Sequence, residues 1–198
     1  MKQIYDYIDD HWQEGVEDLM RLCRQPSISA QGVGMTEMAQ LLAQMMGEYG
    51  VRTQIIPVPG GKYPVVYGEI SGESPATILF YDHYDVQPPE PLELWTSPPF
   101  EPVQREGKLF GRGVSDNKGN TVARLLALKA FQKMRGKPPI SVKFLIEGEE
   151  EIGSPNLGAF VERNRQLLKA DACIWECGGV NWKDQPIIML GLKGILYV

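Results

Sequence analysis

Two stretches, TILFYDHYDV from Thr77 to Val86 and ISVKFLIEG from Ile140 to Gly148, are apolar, β-branched and aromatic runs of strand length. Between them, Asn120 to Met134 carries Val122, Leu125, Leu126, Leu128, Ala130, Phe131 and Met134, the spacing of a helix apolar on enough sides to pack against a sheet. Buried strands that alternate with helices imply an α/β sheet with helices on both faces.

The rest of the chain fits that frame. Ile4, Ile8, Trp12, Val16, Leu19 and Met20 predict one amphipathic helix ending near Pro26, and Met38, Leu41, Leu42, Met45 and Met46 predict a second that Gly50 caps. Both stripes are expected in the core. VRTQIIPV and YPVVYGEI read as strands, and the proline-dense VQPPEPLELWTSPPFEPV reads as a surface loop. KLFGRG gives a short strand and turn, SPNLGAFVERNRQLLKA a helix, and ACIWE and PIIMLG further strands. A chain of 198 residues, 43% hydrophobic, can bury one sizeable core.

A net charge of -5, with both signs dispersed, argues against a nucleic-acid surface or a polybasic membrane patch and for a small partner. No stretch has the length of a signal peptide's apolar block or of a membrane span, so a soluble cytoplasmic protein is expected. Cys23, Cys173 and Cys177 are too few and too odd for a disulfide framework and read as reduced, buried structural thiols.

With only two histidines, His11 and His83, any metal site must draw most ligands from Asp and Glu. In α/β sheets functional groups collect at the carboxyl ends of strands, and three acidic loops fall there. In His83-Tyr84-Asp85, residues two apart in extended chain point the same way, so Asp85 can reach the His83 ring, fix its tautomer and leave the other nitrogen for a metal. A satisfied polar histidine is the plainer alternative. In GRGVSDNKG, glycines let the backbone turn tightly around Asp116, which can bridge two cations or merely cap the next helix. A phosphate loop would need Gly-Lys-Ser/Thr, and the order here is Lys118-Gly119. In GEEEIGS, three consecutive acids, Glu149, Glu150 and Glu151, follow an apolar strand, where like charges are costly unless cations neutralise them or the turn is exposed. Glu176 ends ACIWE and by itself says little.

Together, FYDHYDVQP, WTSPPFEPV, GRGVSDNKG and GEEEIGS, in this order and spacing, closely resemble the zinc-dependent exopeptidases that include carnosinases, other dipeptidases, aminoacylase, glutamate carboxypeptidases and acetylornithine deacetylase. The resemblance covers nearly the whole chain, and the loop with Trp95 and Phe100 is most similar to the carnosinase-type dipeptidases. It implies a three-layer α/β/α sandwich around a mixed, mostly parallel sheet. It further implies two divalent metal ions, zinc first, with manganese or cobalt also compatible. His83 and Glu176 would bind one ion, Asp116 would bridge, and Glu151 would bind the second. Asp85 would orient His83, Glu150 would be the general base, Glu149 a bystander, and the Asp116-Asn117 peptide cis.

The family pattern also has a C-terminal histidine for the second metal and a lid domain whose arginine and histidine hold the substrate. Neither is found here, so residues 1–190 are expected to be the N-terminal part of the catalytic domain and 191–198 the start of the lid. His11 reads as a solvated helix residue rather than a substitute ligand. The expected activity is hydrolysis of dipeptides or N-acyl amino acids, weak in this chain alone, with a longer form dimerising through its lid. The alternative is a non-catalytic metal-binding or interaction protein that keeps the fold.

Overall fold

The structure is a computed structural model, and it describes residues 1–176, 178–183, 185–187 and 189. Cys177 and the segment 191–198, read above as the start of a lid, lie outside the described residues.

The N-terminal stripe forms two helices, α1 (Lys2–Asp10) and α2 (Trp12–Arg24), instead of one. The break falls at His11, whose ring stacks on Tyr7 with centroids 3.8 Å apart and whose Nδ1 lies 2.8 Å from the Tyr7 carbonyl. His11 is therefore half-buried in a kink, and the kink turns Trp12 out to 62% exposure while Ile4 and Val16 stay in the core. Helix α3 (Met35–Glu48) follows, buries Met38, Leu42, Met45 and Met46, and is succeeded by Gly50 at φ +77.

Strands β1 (Arg52–Ile56), β2 (Val65–Ile70) and β3 (Ser74–His83) come next, as the strand-like runs predict. The proline-dense loop is closed by Trp95, which donates from Nε1 to the Pro89 carbonyl at 2.7 Å, but its end forms β4 (Val103–Arg105), paired with β5 (Lys108–Phe110). Helix α4 (Gly119–Arg135) leads to β6 (Ile140–Glu147). The next helical segment is two short helices, α5 (Leu157–Arg163) and α6 (Arg165–Leu168), separated at Asn164, whose side chain donates to the Phe160 carbonyl. The short strands β7 (Ala172–Ile174), β8 (Gly179–Val180) and β9 (Pro186–Ile187) complete the described elements.

The main sheet has the order β1-β2-β6-β3-β7. β1 and β2 pair antiparallel, as do β2 and β6, whereas β6 with β3 and β3 with β7 are parallel. It follows that β1, β6, β3 and β7 run one way and β2 alone opposes them. Alternation then makes two cores. Val66, Phe144 and Ile146 meet α2, α3 and α4 on one face, and Val65, Tyr67, Leu79, Tyr81 and Leu145 meet Phe160 of α5 and Leu168 of α6 on the other. The result is the expected three-layer sandwich. Cys23 is fully buried, but Cys173 is exposed, contrary to expectation, because it sits on the three-residue edge strand β7. No helix among the described residues is long and apolar enough to cross a membrane.

Candidate metal centre

Parallel register sets His83 opposite Glu147, so the His83–Asp85 loop and the acidic loop leave neighbouring strands at one level. The acidic loop is tied at both ends. Glu147, 3% exposed, accepts from the Tyr81 hydroxyl at 2.6 Å and from the Ser154 hydroxyl at 2.7 Å. Asp85, fully buried, accepts the backbone N–H groups of Glu150 at 3.2 Å and Glu151 at 3.0 Å. One carboxylate thus holds the two consecutive acids and also lies 3.3 Å from His83 Nδ1. That nitrogen is 3.0 Å from the Asp85 carbonyl as well.

The other ring nitrogen faces the cluster. His83 Nε2 is 2.9 Å from Asp116 Oδ1, 3.1 Å from Glu176 Oε2 and 3.9 Å from Glu150 Oε2. Asp116 reaches it because its own φ and ψ of -126° and 98° interrupt the helical turn at Val114–Lys118, and the Asp116-Asn117 peptide is cis, as the resemblance implies. Donor atoms of His83, Glu150 and Glu176 lie within 4.8 Å of one another, as do those of His83, Asp116 and Glu151. All six residues singled out in the sequence, His83, Asp85, Asp116, Glu150, Glu151 and Glu176, are therefore brought to one place. Glu149 stays outside the cluster; it is buried and accepts from Lys62 N–H at 2.7 Å and Asn156 Nδ2 at 2.8 Å.

The electrostatics are those of crowded acids. Burial opposes a charged His83 imidazole most strongly, yet the Asp85 hydrogen bond and the charges of Glu176, Asp85 and Glu150 together push it up to about 10. Burial raises Glu150 to about 7; the His83 charge pulls it down, and the charges of Glu176, Glu151 and Asp85 add to the rise. Glu151 is also raised, by burial first, while the hydrogen bond from Gln87 Nε2 to its carboxylate at 2.8 Å works the other way.

A divalent cation fits this donor set. One imidazole nitrogen carries at most one proton, so Nε2 cannot donate fully to both Asp116 and Glu176, whereas a cation accepts all of them at once.

The site has parts that the motifs did not reveal. Asn117, fully buried, donates from Nδ2 to Glu176 Oε2 at 2.8 Å and so fixes the acid that looked least informative. Lys118, 2% exposed, donates to the Leu22 and Gln25 carbonyls and fastens the loop to the end of α2. A buried lysine directly after Asp116-Asn117 carries no periodic signal, and only the polarity of the run pointed to it.

Fold and donors together define a class: an α/β domain whose carboxyl-edge cluster is suited to divalent cations. The model of peptidase family M20/M25/M40 matches residues 79–189, more than half of the chain, and the chain belongs to that family. The human Beta-Ala-His dipeptidase is 30% identical across all of this chain and 42% of its own length. The Cys-Gly metallodipeptidase of Schizosaccharomyces pombe is 30% identical across all of this chain and 44% of its own. Among solved structures, an M20 family metallo-carboxypeptidase from Sulfolobus solfataricus superposes with a TM-score of 0.81 at 40% identity, over 86% of this chain and 39% of that one. Human carnosine dipeptidase 1 gives 0.79 at 31%, over 88% and 40%. The chain thus spans less than half the length of these relatives.

Proposed function

We propose that this chain carries the metal site and general base of a peptidase that hydrolyses the amide bond of dipeptides or N-acyl amino acids. The observation that carries the reading is His83 Nε2 set between Asp116 and Glu176 with the Glu150 carboxylate 3.9 Å away. The dipeptidases among the relatives support the substrate class. His83 and Glu176 would hold one cation, Glu151 the other, and Asp116 would bridge them.

When bound, the two cations supply Lewis acidity to the amide carbonyl and to the attacking water. Asp85 keeps the His83 ring in place and, through two N–H groups, keeps Glu150 and Glu151 on the same side of it. Glu150 takes the water's proton on its carboxylate and delivers it to the departing amine nitrogen, two transfers that one positioned carboxylate can make in turn. In the same reading zinc is the preferred ion, the setting is cytoplasmic, and a longer form dimerises through a lid.

Metal content per chain, measured by elemental analysis after purification without chelator, is the first test, with turnover of a dipeptide measured beside it. One or two equivalents are expected, falling in Asp116→Asn. Glu150→Gln should keep the metal and lose about 100-fold or more of whatever hydrolysis the unsubstituted chain shows. A metal-free parent chain would sink the reading, and undiminished hydrolysis in Glu150→Gln would remove that residue from the role.

A further inference from the structure

Strand β3 sends Ile78 and Phe80 toward the helices α2 to α4, so Asp82, two residues on, faces the same apolar layer. Its side chain is fully buried and pairs with Arg124 of α4, itself 14% exposed. The same guanidinium lies 4.8 Å over the Phe80 ring, donates from Nη1 to the Tyr81 carbonyl at 3.1 Å, and donates from Nη2 to the Trp175 carbonyl at 3.3 Å. Asp82 immediately precedes His83, and Trp175 immediately precedes Glu176.

The ladder between β3 and β7 ends at Phe80 and Ile174, so among the described residues no strand pairing carries Glu176 to its place. Besides His83 Nε2 near the Glu176 carboxylate, three contacts reach that segment among the described residues: Asn117 holds the Glu176 carboxylate, Arg124 holds the carbonyl just before it, and the Tyr81 ring stacks on the Trp175 ring with centroids 3.9 Å apart. A buried ion pair can often be replaced by apolar side chains of similar volume without loss of stability. Stability alone therefore gives no reason for Asp82 and Arg124, whereas a forked donor that spans two strand ends does.

We propose that Arg124 is a positioning residue: neutralised by Asp82, its guanidinium ties the end of β3 to the segment after β7 and so sets Glu176 against His83. The proposal rests on the metal-site reading above for its consequence, but the tie itself does not need a metal. A lysine at 124 could neutralise Asp82 yet has no fork to span both carbonyls.

The test uses the whole chain with Arg124→Met, Arg124→Lys and the double variant Asp82→Leu/Arg124→Met. Three quantities are read: zinc affinity by competition with a chromophoric chelator, amide hydrogen exchange at Trp175 and Glu176 in metal-free protein, and stability in urea. Arg124→Met should weaken one zinc equivalent by about 10- to 100-fold while any other stays within about threefold. Exchange at Trp175 and Glu176 should quicken by about tenfold or more. Arg124→Lys and the double variant should recover stability without recovering zinc affinity or protection. Unchanged exchange in Arg124→Met would overturn the proposal, as would affinity and protection that return with stability in the double variant. A parent chain that binds no zinc while Arg124→Met still loses protection would sink the metal reading and leave the tie standing.

Discussion

Gly148 shows how tightly single residues constrain the centre. A Cβ at that position would stand 2.8 Å from Tyr84 Cε2 and closer still to Cζ and Oη of the same ring. The ring has little room to yield, because Tyr84 is 1% exposed and its hydroxyl donates to the Pro64 carbonyl at 2.8 Å. Gly148→Ala is therefore expected to cost about 1–3 kcal/mol in urea unfolding and to weaken metal binding by displacing Glu150 and Glu151. Parent-like stability and metal content would mean that the Tyr84 ring gives way. This requirement was invisible in the chain, where Gly148 reads only as a turn beside acids. The ligand candidates were legible because each stands in a short polar interruption of an apolar run, as His83, Asp116 and Glu151 do. Asp82 stands in such a run too, and its period-two position among Ile78 and Phe80 was the available signal for a buried ion pair.

Among the elements, α3 and the central strands were legible because their apolar period is uninterrupted and tertiary packing agrees with it. The first helix was not, because the break at His11 depends on a ring stacking on Tyr7 and leaves the hydrophobic period intact on either side. Contacts between helices bring in charge as well as packing. Arg21 of α2 donates to Glu48 of α3 at 2.8 and 3.3 Å, and this hydrogen bond is the main cause that holds the Glu48 carboxyl below its usual range. A depressed folded-state value means that the pair stabilises above the unfolded carboxyl's pKa, near 4.3, and that its contribution fades as pH falls below that toward the folded value. Glu48 keeps 44% side-chain exposure, so solvent screening limits the effect. Glu48→Gln should cost about 0.5 kcal/mol at neutral pH and nothing measurable once the carboxyl is protonated. Urea titrations of both proteins across that range, at low and high salt, check it; a cost that persists in acid would point to lost packing instead.

At the scale of the molecule, among the described residues the sheet ends on β7, a strand of three residues paired with β3. The sequence predicted a strand over ACIWE, which forms only at Ala172–Ile174, and did not show that it makes the rim, because strand order depends on long-range pairing that no local pattern records. The rim is apolar: Ile174 is 44% exposed and Trp175 54%. Grooves flank this side of the sheet on both faces, one of about 430 Å³ between α4 and Ile78, Phe80 and Val142, the other of about 320 Å³ beside Leu79, Leu157 and Cys173. Free edge N–H and C=O groups beside exposed apolar side chains make a template for pairing with another chain. The 198-residue chain is therefore expected to bind a hydrophobic dye and to gain apparent mass with concentration in size-exclusion chromatography. Ile174→Lys should reduce both, since a charge on an edge strand opposes pairing. It should leave the metal content unchanged, because Ile174 is not among the grouped donors. Association that persists undiminished in Ile174→Lys would place the self-contact elsewhere on the surface and free the β7 rim from that role.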